Sequence, residues 1–449
     1  MPLTLFQALY HYNGEELRYF AQLMDMHVRT GIPTHVLREE VEAALRKREA
    51  VERVHAQLDD VDKAYIAEIL HSGRYFELDA FEMRYGGIPS IYRSGTVNPR
   101  KLCALRLLAD RNEVYRDVQP SLAKFVEPPP VVPVPTLRTP VGRFVRSTEA
   151  DALHDALAVL NAVATGKIPA TEKTNTLGIA AVRAIGKILR GGEWYDEGAL
   201  GGPIRAFGWA AMLENCSFYY ANEPASDTLL HVWKKWNSLP GRDELRRIDT
   251  SGVYKQDYDS RRRRSRMREA LTVCPIGEWI AVEDFCELIR NGGFYFSLCW
   301  GRAQAIELLD AYVACFLMEY AATAGVIDIA YDTAVKTRYD GLRAFRITPL
   351  GAWMLGMREY QAPHSVAPRK LTALSSLILT FDGEPTPEQA VFLDRFCDRE
   401  TATTWRLSRA KTKDAIQRGF TPDMLREFIE RYDDQPIPEL MDNWLKVSK

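Results

Sequence analysis

Six arginines fall within eight residues: Arg261, Arg262, Arg263, Arg264, Arg266 and Arg268, with only Ser265 and Met267 between them. Guanidinium forks match phosphate oxygens two bonds at a time. Residues 255–269 hold seven basic side chains against three acidic ones. Such a run binds nucleic acid by releasing its counterions. The competing reading is an exposed helix start whose arginines pair with neighbouring acids. A second basic group lies on two β-type runs, 326–332 and 342–348, and on the loop joining them. The loop carries Lys336 and Arg338, and the return strand carries Arg343 and Arg346. In a winged helix such a wing touches the phosphate backbone while a helix enters the major groove. The helix expected before this hairpin, 304–324, is too apolar to lie in a groove, so the unit reads as one that packs against protein.

Other chemistry finds no residues to carry it. None of the eight histidines lies three or four residues from another, so no helix presents a pair of metal-ligating imidazoles. The run from Gly178 to Ile188 has glycine and lysine in the order of a phosphate loop. However, seven residues separate Gly178 from Gly186, and Ile188 stands where such a loop needs Ser or Thr. Carboxylate pairs such as Glu39-Glu40 and Asp433-Asp434 fall on polar faces or in turns. No catalytic residue, metal ligand or cofactor site is assigned.

The 449 residues exceed one compact core, so several domains are expected. Net charge is −2, and nucleic-acid binding must therefore use a local patch rather than bulk charge. The seven cysteines are odd in number, widely spaced and without C-x-x-C. That pattern fits reduced thiols in the cytoplasm better than a disulfide framework or a zinc knuckle. The first residues lack a basic, apolar leader. The most apolar stretch, 311–324, is interrupted by Glu319 and is too short to span a bilayer. A soluble protein without membrane contact is expected.

The elements that must position these residues follow from periodicity and breakers. Apolar spacings of three and four predict helices over 15–26, 36–58, 62–71 and 100–110, with a brief extended piece at 113–119. Short helices in this order suit a winged-helix-like domain over 1–126. Residues 127–140, with six prolines, form an extended linker, read as a stiff spacer rather than a docking peptide. A helical domain follows over 141–260. A winged-helix domain follows over 261–365, ending on the helix that Thr348-Pro349-Leu350-Gly351 opens. Residues 370–449 alternate strand and helix, with Thr386-Pro387 and Thr421-Pro422 as helix starts. The expected fold class is mainly α with small β wings (α+β): tandem winged-helix-like units plus a small C-terminal α+β module.

That last module resembles a known family. Its Ile378-Leu-Thr-Phe-Asp-Gly strand is followed by the Pro387–Cys397 helix and by Thr404-Trp-Arg-Leu-Ser. The Ala415–Gly419 helix end, Phe420-Thr-Pro422 and Pro436-Ile-Pro438 come next. In this order the chain resembles the helicase-associated domain of bacterial proteins related to the N-terminal region of XPB-type DNA repair helicases. Upstream, Arg346-Ile-Thr-Pro-Leu-Gly351 is similar to the end of the winged helix that precedes that domain. The resemblance implies small winged-helix-like units bound to double-stranded DNA or to a helicase. Helicase motifs are missing here, so the motor, a helicase or ATPase, would be a separate subunit. The expected function is that of a non-enzymatic accessory protein in DNA repair, transcription or defence against foreign DNA. Its rival is a metal-dependent nuclease with carboxylates drawn from distant segments. Residues 382–400 are locally acidic, which predicts a module that meets protein rather than duplex DNA.

Overall fold

Helices begin where a side chain can satisfy the free N–H groups of the first turn. Thr4, Asn13 and Thr386 each accept from the third helical residue, whose Gln or Glu reaches back in a reciprocal capping box. Thr421 likewise accepts from Met424 N–H at 3.3 Å. The computed structural model describes residues 4–71, 76–93, 99–110, 112–164, 166–168, 177–195, 203–213, 224–240, 244–248, 259–299, 302–333, 337–360, 368–417 and 420–447. Among them the chain is mainly α with small antiparallel sheets. No described helix is long and apolar enough to cross a membrane.

The chain divides into two compact units, one of residues 1–133 with 287–296, the other of 134–286 with 297–449. The division falls inside the proline-rich segment. In the first unit, the helix expected over 36–58 is two, Thr34–Leu45 and Arg48–Ala56, with Lys47 extended between them. The apolar stripe explains the break. Leu37, Val41 and Leu45 repeat every four residues, but Arg48, Glu49 and Glu52 occupy its continuation and burial resumes at Ala50, Val51 and Val54. One straight helix would turn one of those faces to water. The core also takes in Phe20, Tyr65, Ile66, Leu105 and Leu108. A two-residue hairpin, β1 (Ala109–Asp110) and β2 (Glu113–Val114), follows the last large helix.

The second unit holds a winged-helix order. Helix Ser260–Thr272, strand β4 (Ile280–Ala281), the first residues, 282–286, of helix Val282–Asn291 and helix Arg302–Cys315 precede the hairpin β5 (Ile327–Tyr331) and β6 (Leu342–Ile347). Phe285 meets Phe345 of β6 edge-on at 5.0 Å. A fourth strand, β3 (Phe144–Arg146), gives the sheet order β3-β5-β6-β4. This corrects the expected separation of 141–260 from 261–365: a strand of the first segment completes the sheet of the second. An open edge at β5 would leave backbone N–H and C=O groups unpaired, and β3 covers it with Val145 opposite Ala330. Thr148 ties the joint by donating to Ile327 C=O at 2.7 Å and taking Asp328 Oδ1 on its N–H at 2.8 Å.

The helix before the hairpin changes pitch at its end. From Phe316 to Ala321 it is a π-helix, with Ala322 N–H donating to Leu317 C=O and Val326 N–H to Ala321 C=O, each at 2.8 Å. Such widened turns recur at functional sites. Helix Arg205–Met212 meets this turn through Gly208, where any Cβ would overlap the Glu319 carbonyl.

The C-terminal module is a second antiparallel sheet, β7 (Leu371–Leu374), β8 (Ile378–Phe381), β9 (Cys397–Arg399) and β10 (Thr404–Leu407), in order β7-β8-β10-β9. Four helices accompany it: Pro387–Phe396, Arg409–Gln417, Pro422–Tyr432 and Glu439–Val447. Leu379, Leu393, Phe396, Trp405, Ile429 and Leu445 form a core of its own. A fragment of residues 368–449 is therefore expected to fold alone and to unfold in one cooperative urea transition. A sloping, non-cooperative melt monitored at its tryptophans would show that the rest of the chain is needed.

Candidate anion-binding cleft

The arginine run begins the helix Ser260–Thr272, capped by Asp259, whose side chain accepts from Arg261 N–H. A helix distributes six positions spread over eight residues around its whole circumference. Arg261 and Arg262 are exposed, Arg268 is half-buried, and Arg263, Arg264 and Arg266 are buried. Arg264 forms an ion pair with the equally buried Glu244 and donates to Leu239 C=O at 2.9 Å, with its guanidinium 4.4 Å above the Trp236 ring. Arg263 lies 3.9 Å from Glu244 and 5.7 Å from the Tyr312 ring. Arg266 pairs with Glu269 at 3.0 Å. The expectation of a six-fork phosphate surface is thus corrected: Arg263, Arg264 and Arg266 are inside the protein, and their partners are acids of the same chain. Burial raises the Glu244 carboxyl against the opposing pull of Arg264.

The wing is similarly occupied. Arg343 pairs with Asp332 at 2.9 Å and Arg346 with Asp328 at 2.9 Å, each acid lying on or beside the neighbouring strand β5. Arg346 also lies 4.9 Å over Trp279. The hydrogen bond from Arg343 holds the Asp332 carboxyl below its usual range. Arg338 turns inward, 3.9 Å from Glu319 and 5.3 Å from the Phe207 ring. Glu319, on the π-helix, is fully buried. It accepts from Tyr339 and faces Arg247 at 3.4 Å. Burial raises its carboxyl despite both arginines. The remaining wing candidate, Lys336, lies outside the described residues.

A different basic surface emerges between helix Glu149–Ala164 and the C-terminal module. These enclose a cleft of about 750 Å³. Lys167, Arg190 and His154 come to it from the segments around helix Glu149–Ala164, and Arg369 and Arg399 from the C-terminal module; Glu384 and Asp394 are its carboxylates. Among the described residues, Lys167, Arg369 and Arg399 have no acid within ion-pair distance, unlike Arg264, Arg343 and Arg346. Arg399 stacks 4.8 Å over Trp405 and donates to the Thr401 and Ala402 carbonyls at 3.2 and 3.0 Å. One oxygen of Asp394 is occupied by the Trp405 indole N–H at 2.7 Å. The cleft therefore offers four cationic heads to an anion against one wholly uncommitted carboxylate and one partly committed.

Behind Arg190 stands a buried ionic network that holds its backbone at both ends. Asp155 accepts from Arg190 N–H at 2.7 Å. Arg205 donates to Arg190 C=O at 2.8 Å and pairs with Asp155 at 2.6 Å. Arg146 adds a bond to the same carbonyl at 3.2 Å and one to Asp151 at 2.9 Å. Burial lowers the Arg205 guanidinium and Asp155 opposes that. Glu193 orients the helix bearing Arg205 by accepting from the N–H groups of Ile204, Arg205 and Ala206 at 2.8, 2.8 and 2.9 Å. The side chain of Arg190 projects from this frame, 57 % exposed and 3.7 Å from Asp151.

None of the four cleft cations is among the residues expected from the sequence. They come from segments as much as 200 residues apart or more, and none forms a basic cluster that stands out: Arg190 follows Arg183 and Lys187, Arg369 adjoins Lys370, and Arg399 lies between Asp398 and Glu400. The local signal is confined to Lys167 and Arg190, which adjoin the left-handed glycines Gly166 and Gly191. Among the described residues no group of three His, Cys, Asp or Glu side chains is placed to hold a metal ion. No protein-family model matches this chain, and no curated protein is similar to it.

Proposed function

We propose that this protein is a non-enzymatic accessory protein that holds DNA by its phosphates, beside a separate helicase or ATPase that supplies the motor. The observation that carries the reading is the cleft, where three of four cationic side chains lack an acidic partner among the described residues. Charged heads with no internal counterion are free to take phosphate oxygens, and they release counterions when they do. The helicase partner is supported by the resemblance of the C-terminal module to helicase-associated domains, and by the absence of helicase motifs in the chain.

The test is a titration of the full chain against a duplex with a single-stranded tail, at about 50 to 200 mM salt. Affinity is expected to fall steeply over that range. Reversing Lys167, Arg190, Arg369 and Arg399 to Glu together should flatten the log-affinity against log-salt slope by roughly 0.7–0.9 for each phosphate no longer neutralised. Absence of binding to the tailed duplex at the lowest salt would refute the reading.

A further inference from the structure

The dimensions of the cleft restrict what can enter it. Its 750 Å³ falls within the roughly 300–1,000 Å³ of sites that enclose one small ligand. A duplex is excluded on size, since its major groove alone is about 12 Å wide and 8.5 Å deep. One strand, with a few nucleotides in extended form, fits. Cations stand on both walls, Lys167 opposite the Arg369 side, so a strand passing between them would have its phosphates contacted from two directions. A duplex lying on the rim would reach one wall at a time.

We infer that the cleft binds a single nucleic-acid strand rather than a duplex, gripping it through backbone phosphates. This rests on the proposed function and specifies the ligand of its site. The lining contains no Phe, Tyr or Trp, and Trp405 is covered by Arg399. Base stacking, which supplies about 1–3 kcal/mol per base in many single-strand binders, is therefore missing. Recognition is consequently electrostatic, tolerant of sequence and sensitive to salt. Arg190 is the best-positioned contact, because its backbone is held at both ends by Asp155 and Arg205.

The experiment compares the full chain on three labelled ligands of one sequence, each about 15 nucleotides long: single-stranded DNA, single-stranded RNA and blunt duplex DNA. The single strands are expected to bind at least tenfold more tightly than the duplex. Lys167→Glu and Arg369→Glu, one on each wall, should each remove that preference. Neither side chain has a hydrogen-bond or ion-pair partner among the described residues, so the urea midpoint should stay unchanged and report an intact fold. Preference for DNA or RNA identifies the strand, and either supports the inference. Equal or tighter binding to the blunt duplex would overturn the inference and leave the proposed function standing. A strand preference that survives both substitutions would also overturn it, because the preference would then arise elsewhere. Binding to none of the three would refute the proposed function itself.

Discussion

Arg264→Ala is expected to destabilise the protein by about 3–5 kcal/mol, the usual effect of removing one partner from a buried ion pair. The substitution leaves Glu244 fully buried, with Arg263 at 3.9 Å as its remaining ion-pair partner among the described residues. It also frees the carbonyls of Trp236 and Leu239, which Arg264 Nη1 satisfies. Arg261→Ala, three residues earlier in the same run, removes an exposed side chain paired with exposed Asp259 and should leave the unfolding midpoint almost unchanged. Urea denaturation of the two variants side by side checks the contrast. Equal midpoints would mean that the run is solvated along its length, and would restore the phosphate-surface reading for Arg264.

Asp155→Ala is expected to cost a similar amount, about 3–5 kcal/mol, and to have a second consequence that Arg264→Ala lacks. It leaves the Arg205 guanidinium buried, with its nearest acid gone, and unties the N–H of Arg190. Urea denaturation gives the first effect. The second is read from nucleic-acid affinity under conditions where the variant is still folded. Loss of the fixed backbone should weaken binding several-fold, although residue 155 itself is buried and does not line the cleft. Unchanged affinity in a folded, destabilised variant would show that Asp155 supports the fold without positioning Arg190.

The arginine run and the cleft differ in how far each can be read from the order of residues. Local signals are strong wherever a helix has to start or stop: Thr386-Pro387 and Thr421-Pro422 open helices as expected, and Thr348 caps the helix after the wing. Two short β-type runs, 326–332 and 342–348, identify the hairpin. Short edge strands are less visible. β3, β4 and β9 have two or three residues each, too few to display a period, and they are strands because a neighbouring edge pairs with them.

Spacing and capping within a few residues are enough to settle the helical character, the capped helix starts and the hairpin of the wing. Composition also settles that charge acts locally, since the total nearly cancels. Which charges meet acids and which do not is decided by the folded chain alone. A helix turns its residues by about 100° each, so a run of arginines necessarily points some inward, and what they meet there depends on segments far away in the chain. Glu244 neutralises Arg264 across 20 residues, and Asp155 holds Arg205 across 50. Lys167 and Arg369, inconspicuous in their own segments, line one cleft because helix Glu149–Ala164 packs against helix Pro387–Phe396. Coulombic complementarity is a property of distances in space, and the order of residues along the chain does not contain those distances.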